Sequence, residues 1–342
     1  MRVQPDATQA GEERDAAGRI LSAVLDKVAA QLLDESVPRP DIPSETLRYP
    51  GLFAAAYEAQ SACRTGRLPP EERRRLASRL QNAVQRASDS DVRAIGSDCR
   101  AWPVDLAPPE KHLAESLARA VAQVPQRPDR REALAALRVV GWSQADRAVF
   151  CETACLLAET WPAMLAELRT VVRQVVLLDG FGVDGFTDVA THGAIYVNAA
   201  RLGLDDAGLP GPVRLAEAVV HEGAHNRCNA AALSDPFLED PKSGSEPVVM
   251  TPLRQDPRPL TGLLQQLVVL VRSLLLYDRL LGGSNLSAAA VARREKLRGQ
   301  AGEALWVIGA HTGRLTDHGR SVVAEAEELL ARSAVLREPA TT

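Results

Sequence analysis

The sequence predicts a mainly α fold, a helical array with a small β element beside a metal-binding helix. Three observations predict it. Aromatic residues are only 4% of the 342 while apolar residues reach 46%, so Ala, Leu and Val must fill the core, as in helices packed through small side chains. Apolar residues recur at three- and four-residue spacing along most of the chain. Short β-rich runs bounded by glycine, 173–182 and 193–200, lie just ahead of the stretch AEAVVHEGAHNRCNAA at 216–231.

The elements follow in order. Residues 1–17 read as a loose tail. Residues 19–35 place Ile20, Val24, Val28 and Leu32 on one helical stripe. The proline-rich stretch 36–51 reads as a loop or linker, followed by helices near 52–64 and 70–88, the second opened by Pro70 and two glutamates. A connector at 101–110 precedes a helix at 110–123, and PQRPDRRE at 125–132 breaks the chain. Helices are expected at 132–140 and 144–170, the latter stopped or kinked at Pro162.

After the two β-rich runs and the loops 183–192 and 202–212, a helix is expected at 213–233 behind Pro212. The stretch 234–259 reads as irregular and long enough to be functional. Three helices close the chain, near 260–281, 286–308 and 314–335, with Asn285 and Thr312 or Thr316 as caps. The expected division is a helical N-terminal region, 1–125, and a catalytic-like domain, 126–342.

Composition narrows the function. With 40 Lys and Arg against 44 Asp and Glu, the formal charge is −4, and no nucleic-acid partner is expected. The Arg-rich run EERRRLASR at 71–79 reads as a solvated helix face. The longest apolar stretch, 263–281, is interrupted by Gln265, Gln266, Arg272 and Asp278, which fits a buried helix better than a membrane span. The first residues contain no apolar core segment, so no signal peptide is expected. Five unclustered cysteines point to a reducing compartment, and the cytoplasm is the expected location. Cys151 and Cys155, four apart, read as buried small apolar groups, and Cys228 as a packed thiol.

The chemistry concentrates at His221, Glu222 and His225. Residues i and i+4 share a helix face, so the two imidazoles can grip one cation while Glu222 faces its open side. This is the H-E-x-x-H pattern, in which the glutamate is a general base or orients a water. Two ligands do not complete a site. His192, Asp235, Glu239, Asp240, Glu246 and Asp256 are the candidates for a third. Pro259 can open the following helix, where free amide N–H groups and the guanidiniums of Arg254 and Arg258 would form a carboxylate-binding corner. AIYVN alternates Ala194, Tyr196 and Asn198 with Ile195 and Val197, either as a core strand or as an edge that aligns a peptide.

Taken together, GAIYVN, LAEAVVHEGAH and PLRQDPRPLTGLLQQLVVLVRSLLLYDRL resemble the HExxH-type peptide-modification proteins, which look like iron- and 2-oxoglutarate-dependent β-hydroxylases of ribosomally made peptides. The resemblance covers 173–342 well and the first half loosely. It implies iron(II) on His221 and His225, an acid at Glu222, and 2-oxoglutarate near Arg254 and Arg258. It also implies a precursor peptide as substrate, no membrane, and in some cases a radical SAM maturase as partner. The family carries a histidine three residues after the glycine of L-x-G-x-x-H, and here Gln265 stands in its place. Another side chain supplies the third bond, or the site keeps two histidines, or the fold survives as a non-enzymatic peptide binder. A zinc peptidase with Glu222 as general base is the alternative chemistry.

Overall fold

The uncharged run LLQQLVVLV at 263–271 lies in a largely buried helix, α9 (Leu260–Gly283), where Leu263, Leu267, Val269, Val271, Leu274, Leu276 and Tyr277 are completely inaccessible. A helix apolar all round has to sit inside a protein or a bilayer. Here 83% of its most apolar window is buried against the rest of the chain, so α9 is a core helix of this fold. The structure is a computed structural model and describes residues 1–32, 43, 45–64, 66, 68–89, 94–95, 102–124, 131–239, 246–251, 254–283 and 288–335.

The fold is mainly helical with small sheets, as the sequence predicts. The helices before the sheet are α1 (Ala7–Leu32), α2 (Pro50–Arg64), α3 (Pro70–Asp89), α4 (Lys111–Gln123), α5 (Arg131–Ala135), α6 (Gln144–Thr160) and α7 (Pro162–Val171). After it come α8 (Gly211–Ser234), α9, α10 (Ala288–Gly309) and α11 (Asp317–Val335). The central sheet contains β3 (Asp105–Leu106), β4 (Arg138–Val140), β5 (Gln174–Asp179), β6 (Gly185–Phe186) and β7 (Ala194–Asn198). Strands β3, β5 and β7 run parallel in that order, β6 is antiparallel at the edge beside β7, and β4 pairs antiparallel with the second half of β5. A short pair, β1 (Ala94–Ile95) with β2 (Trp102–Pro103), and a hairpin, β8 (Val248–Thr251) with β9 (Arg254–Pro259), complete the strands.

Several expectations are corrected. Residues 1–17 are no loose tail: α1 begins at Ala7, Val3 is fully buried, and Glu325 accepts from the N–H groups of Val3 (2.7 Å) and Gln4 (3.1 Å). The segment 132–140 splits into the one-turn α5 and strand β4, because Val139 and Val140 pair with β5 rather than continue a helix. The break expected at Pro162 is present, and 144–170 is two helices. Ser143 and Asp146 form a reciprocal cap at the first, and Pro162 opens the second at its first turn. The connector 101–110 and the irregular stretch 234–259 both yield short strands. Cys151 and Cys155 are half-buried rather than buried, whereas Cys228 is fully buried. Most of 36–44, and Asn285, lie outside the described residues. Thr316 does cap α11, accepting from Gly319 N–H at 3.0 Å. The Arg-rich face of α3 is spent on ion pairs, Arg75 with Glu58 and Glu72, and Arg79 with Glu58 and Glu115.

Both faces of β7 are covered. Ile195 and Val197 join the large core shared by α6 to α11, while Ala194 and Tyr196 join a smaller cluster with Leu113, Leu117 and Val176. The predicted alternation therefore holds, with a core on each side. The helix α8 lies on this sheet and against α1, α6, α7 and α9.

One polar cluster ties these elements together. Glu167 of α7 is completely buried and bonds to two equally buried guanidiniums, Arg227 of α8 and Arg272 of α9. Arg227 also reaches Glu13 of α1 at 2.9 Å, and Arg272 donates to the carbonyl of Val3 at 2.8 Å. Deleting one partner of a buried ion cluster leaves charges that nothing else solvates. Glu167→Ala is therefore expected to cost about 3–5 kcal/mol in denaturant unfolding. A loss below about 1 kcal/mol would mean that the two arginines are held by other partners.

Candidate metal centre

Pro212 sits in the first turn of α8, and the helix then runs through V-V-H-E-G-A-H without a break. The short residues of that run let it lie close to its neighbours. A Cβ at Gly223 would collide with Leu168 of α7, so glycine there permits the contact between the two helices.

The sequence reading places His221 and His225 on one face, and the structure brings their rings to 5.3 Å between centroids at 60°. Their surroundings fix each group. His225 Nδ1 lies 2.9 Å from Gln265 Oε1 of α9. The Gln265 amide nitrogen donates to Asn229 Oδ1 at 3.0 Å, which turns its carbonyl oxygen toward the histidine. Nδ1 is then the protonated nitrogen, and Nε2 keeps the lone pair a cation needs. Gln265 thus orients His225 through its outer nitrogen.

Burial holds the His225 pKa below the usual imidazole value, with the Gln265 hydrogen bond acting against it. The His221 pKa is held well below that value by burial first, then by His225 and the guanidiniums of Arg201 and Arg293. Both rings are therefore neutral at neutral pH, the state in which imidazole binds metal.

Glu222 turns toward the sheet. Its side chain is 6% exposed, and Thr187 donates its hydroxyl to Oε2 at 2.8 Å. Oε1 stands 4.0 Å from His221 Nε2. The carboxyl fits there because Gly185 of β6 has no side chain: a Cβ would lie 2.8 Å from Oε1 and 2.8 Å from the carbonyl oxygen of Tyr196. Strand β6 is held to β7 by Phe186 stacked on Tyr196, centroids 4.0 Å apart. Burial pushes the Glu222 carboxyl up to about 8, against the opposing pulls of Thr187 and Arg201.

The remaining candidates are elsewhere. His192 is buried against Phe53 of α2, ring centroids 5.2 Å apart, and burial lowers its pKa to about 4. Asp235 pairs with His318 at 3.3 Å. Glu246 caps α9, its Oε1 accepting from Thr261 N–H (2.5 Å) and Oγ1 (2.7 Å), so an acid of the chain itself occupies the opening of α9. Glu239 donates its backbone N–H to Arg314 O at 2.9 Å. Asp240 and the side chains of Asp256 and Arg254 lie outside the described residues. Arg258 of β9 is half-buried, with its Cβ 3.9 Å from the position a Gly262 Cβ would take. Gly262 and Gln265 are three apart and share a face of α9. Cys228 is buried, and burial pushes its thiol up to about 12, which suits a packed group. Among the described residues, no group of three His, Cys, Asp or Glu side chains is placed to hold a metal ion.

The residues missed by sequence reasoning are Thr187, Gly185 and Asn229. Asn229 carried a signal, since it follows His225 by four and so shares its face. Thr187 and Gly185 sit in a loop segment whose partner is far along the chain.

No family model matches this chain, and no curated protein matches it at a significant level.

The Glu222 carboxyl gives a signed pH dependence. Its folded pKa, about 8, lies above the ordinary carboxylate value of 4.5, so the folded protein holds a proton that the unfolded chain releases. The contribution is complete below the lower value and is lost as pH rises through the upper one. The metal-free protein should lose up to ~1.4 kcal/mol per pH unit across that window. Glu222→Gln should flatten this part of the profile, read as Tm against pH. An unchanged slope would place the titration on another group.

Proposed function

We propose that this protein is a cytoplasmic metal-dependent oxygenase that hydroxylates a side chain of a ribosomally made peptide. Iron(II) would be held by His221 and His225, and 2-oxoglutarate by Arg258, with Arg254 beside it in sequence. The observation that carries the metal part is the pair of neutral imidazoles one turn apart, with His225 Nδ1 tied to Gln265. The donor set fits a borderline divalent ion at two positions. The oxidative part is supported by the resemblance of 173–342 to the peptide hydroxylases, and by Arg258 beside the α9 face that carries Gln265.

When bound, iron(II) and 2-oxoglutarate supply the reducing equivalents with which dioxygen oxidises an unactivated C–H bond, releasing succinate and carbon dioxide. The chain's own residues do the rest. Gln265 and Asn229 keep Nε2 of His225 available. Thr187 aims the Glu222 carboxyl, which near neutral pH keeps a proton on its own oxygen and so can donate a hydrogen bond into the site. The edge strand β6 has one partner, β7, among the described residues, which suits recognition of an extended peptide by strand addition. A precursor peptide is the partner this implies, and a radical SAM maturase is a further one by resemblance. The free thiols of Cys63, Cys151, Cys155 and Cys228 go with a reducing compartment.

One observation favours a second reading, a zinc peptidase. Glu222 is a carboxyl 4.0 Å from His221 Nε2, and were a bound cation to lower its proton affinity it could take a proton from an attacking water.

The two readings separate by metal analysis and turnover. Anaerobic protein given iron(II) should bind it, and should form succinate from 2-oxoglutarate once dioxygen is admitted with the peptide. His221→Ala should lose at least about tenfold in metal affinity. Zinc retention with peptide cleavage and no succinate would replace the first reading by the second. Full metal uptake by His221→Ala would overturn both.

A further inference from the structure

A second cavity, of about 420 Å3, opens between α1, the 3-10 turn at Thr46–Arg48 with the start of α2, and the junction of α7 with β5. Neither His221, Glu222, His225 nor Gln265 lines it. Four guanidiniums do, Arg14, Arg19, Arg48 and Arg173, against two carboxylates, Asp15 and Glu45. Those acids are already engaged within the wall, Asp15 with Arg14 at 2.6 Å and Glu45 with Arg48 at 2.9 Å. The cavity therefore has an excess of positive charge in a partly desolvated setting. Burial first, then the charge of Arg48, holds the Arg173 pKa below the usual guanidinium value, with Glu45 and Asp105 pulling the other way.

Two further features point to a ligand. His192 lines the cavity with its residue only 7% exposed, and among the described residues its ring has no hydrogen-bond partner. Its ring nitrogens are not among the buried unpaired polar atoms, so they open on the cavity, where a bound molecule could hydrogen-bond them. Gly18 lies in the middle of α1 on the cavity wall, and a Cβ there would meet nothing within 4 Å. Glycine costs a helix interior about 1 kcal/mol relative to alanine. A larger side chain at Gly18 would enter free space at the cavity wall.

We propose that this cavity binds a small molecule through an oxyanion group, carboxylate or phosphoryl, seated between Arg48 and Arg173 with His192 as its neutral hydrogen-bond partner. Guanidiniums suit such a group because their planar N–H pairs match two oxygens at once. The volume is that of an ordinary small-molecule site. The aliphatic part of the ligand would lie toward Phe53 and the open wall at Gly18.

The test uses the full chain at neutral pH and constant ionic strength, with inorganic phosphate and acetate as separate probes. The readout is the ring carbon-bound proton of His192 in NMR, assigned by its loss in His192→Gln. A saturable shift in the low-millimolar range is expected with at least one probe. Phosphate alone would assign a phosphoryl ligand, acetate alone a carboxylate, and both an oxyanion site of broad tolerance. Arg173→Gln and Arg48→Gln should each weaken binding by about tenfold. Gly18→Leu fills the cavity from a helix position with free space, so it should fold normally and abolish the shift. Absence of saturation with both probes would overturn the proposal, as would undiminished binding in Gly18→Leu.

Discussion

Glu167 sits fully buried between the guanidiniums of Arg227 and Arg272, and the placement of α8 depends on that contact. An α-helix turns about 100° per residue, so Arg227 projects from α8 on the side roughly opposite His221 and His225. Pinning Arg227 to α7 and α1 therefore sets the rotation of α8, and the two imidazoles face Gln265 as a result. A buried ion cluster adds little net stability over apolar packing of equal volume. What it contributes here is register, in concert with the other polar contacts of α8. The cluster also recruits the chain start, since Arg272 bonds the Val3 carbonyl and Glu167 accepts from Asp6 N–H.

The same logic runs along α8. Each charged or amide side chain on its buried length has a named partner. Glu217 bonds Tyr277 (2.8 Å) and Arg293, Glu222 accepts from Thr187, and Asn226 joins Gly193 N–H (3.3 Å) to the carbonyl of Ala194 (3.2 Å). His221 and His225 differ from these. Their rings are half-buried, only His225 has an amide partner, and both are kept neutral. Packing alone would have matched both nitrogens of each ring.

The parts of this arrangement written locally were legible in the sequence. The bounds of α8 and α9 followed from apolar periodicity and from Pro212 and Pro259. The pairing of His221 with His225 followed from four-residue spacing alone. What escaped depends on partners distant along the chain. The segment 7–17 looks too polar for a core helix until Glu13 meets Arg227, more than two hundred residues away. Strand β4 hides within a helix-like run because only β5 reveals it, and β8, the short run VVMT, pairs with a proline-containing β9 that carries no strand signal. Gln265 was legible as a site residue from the resemblance, as the stand-in for a ligand. Its hydrogen bond to His225 Nδ1, backed by Asn229, is a contact between two helices that spacing within either one does not reveal.

The central claim is that one cation is held by the Nε2 atoms of His221 and His225, with Gln265 behind the second ring. The most direct measurement is a crystal structure of the metal-loaded protein with anomalous scattering at the metal edge. The account predicts a single site with both Nε2 atoms at about 2.0–2.2 Å from the ion and the Gln265 contact to Nδ1 retained. An ion bound through Nδ1 of His225, or one that leaves either histidine unligated, would contradict it.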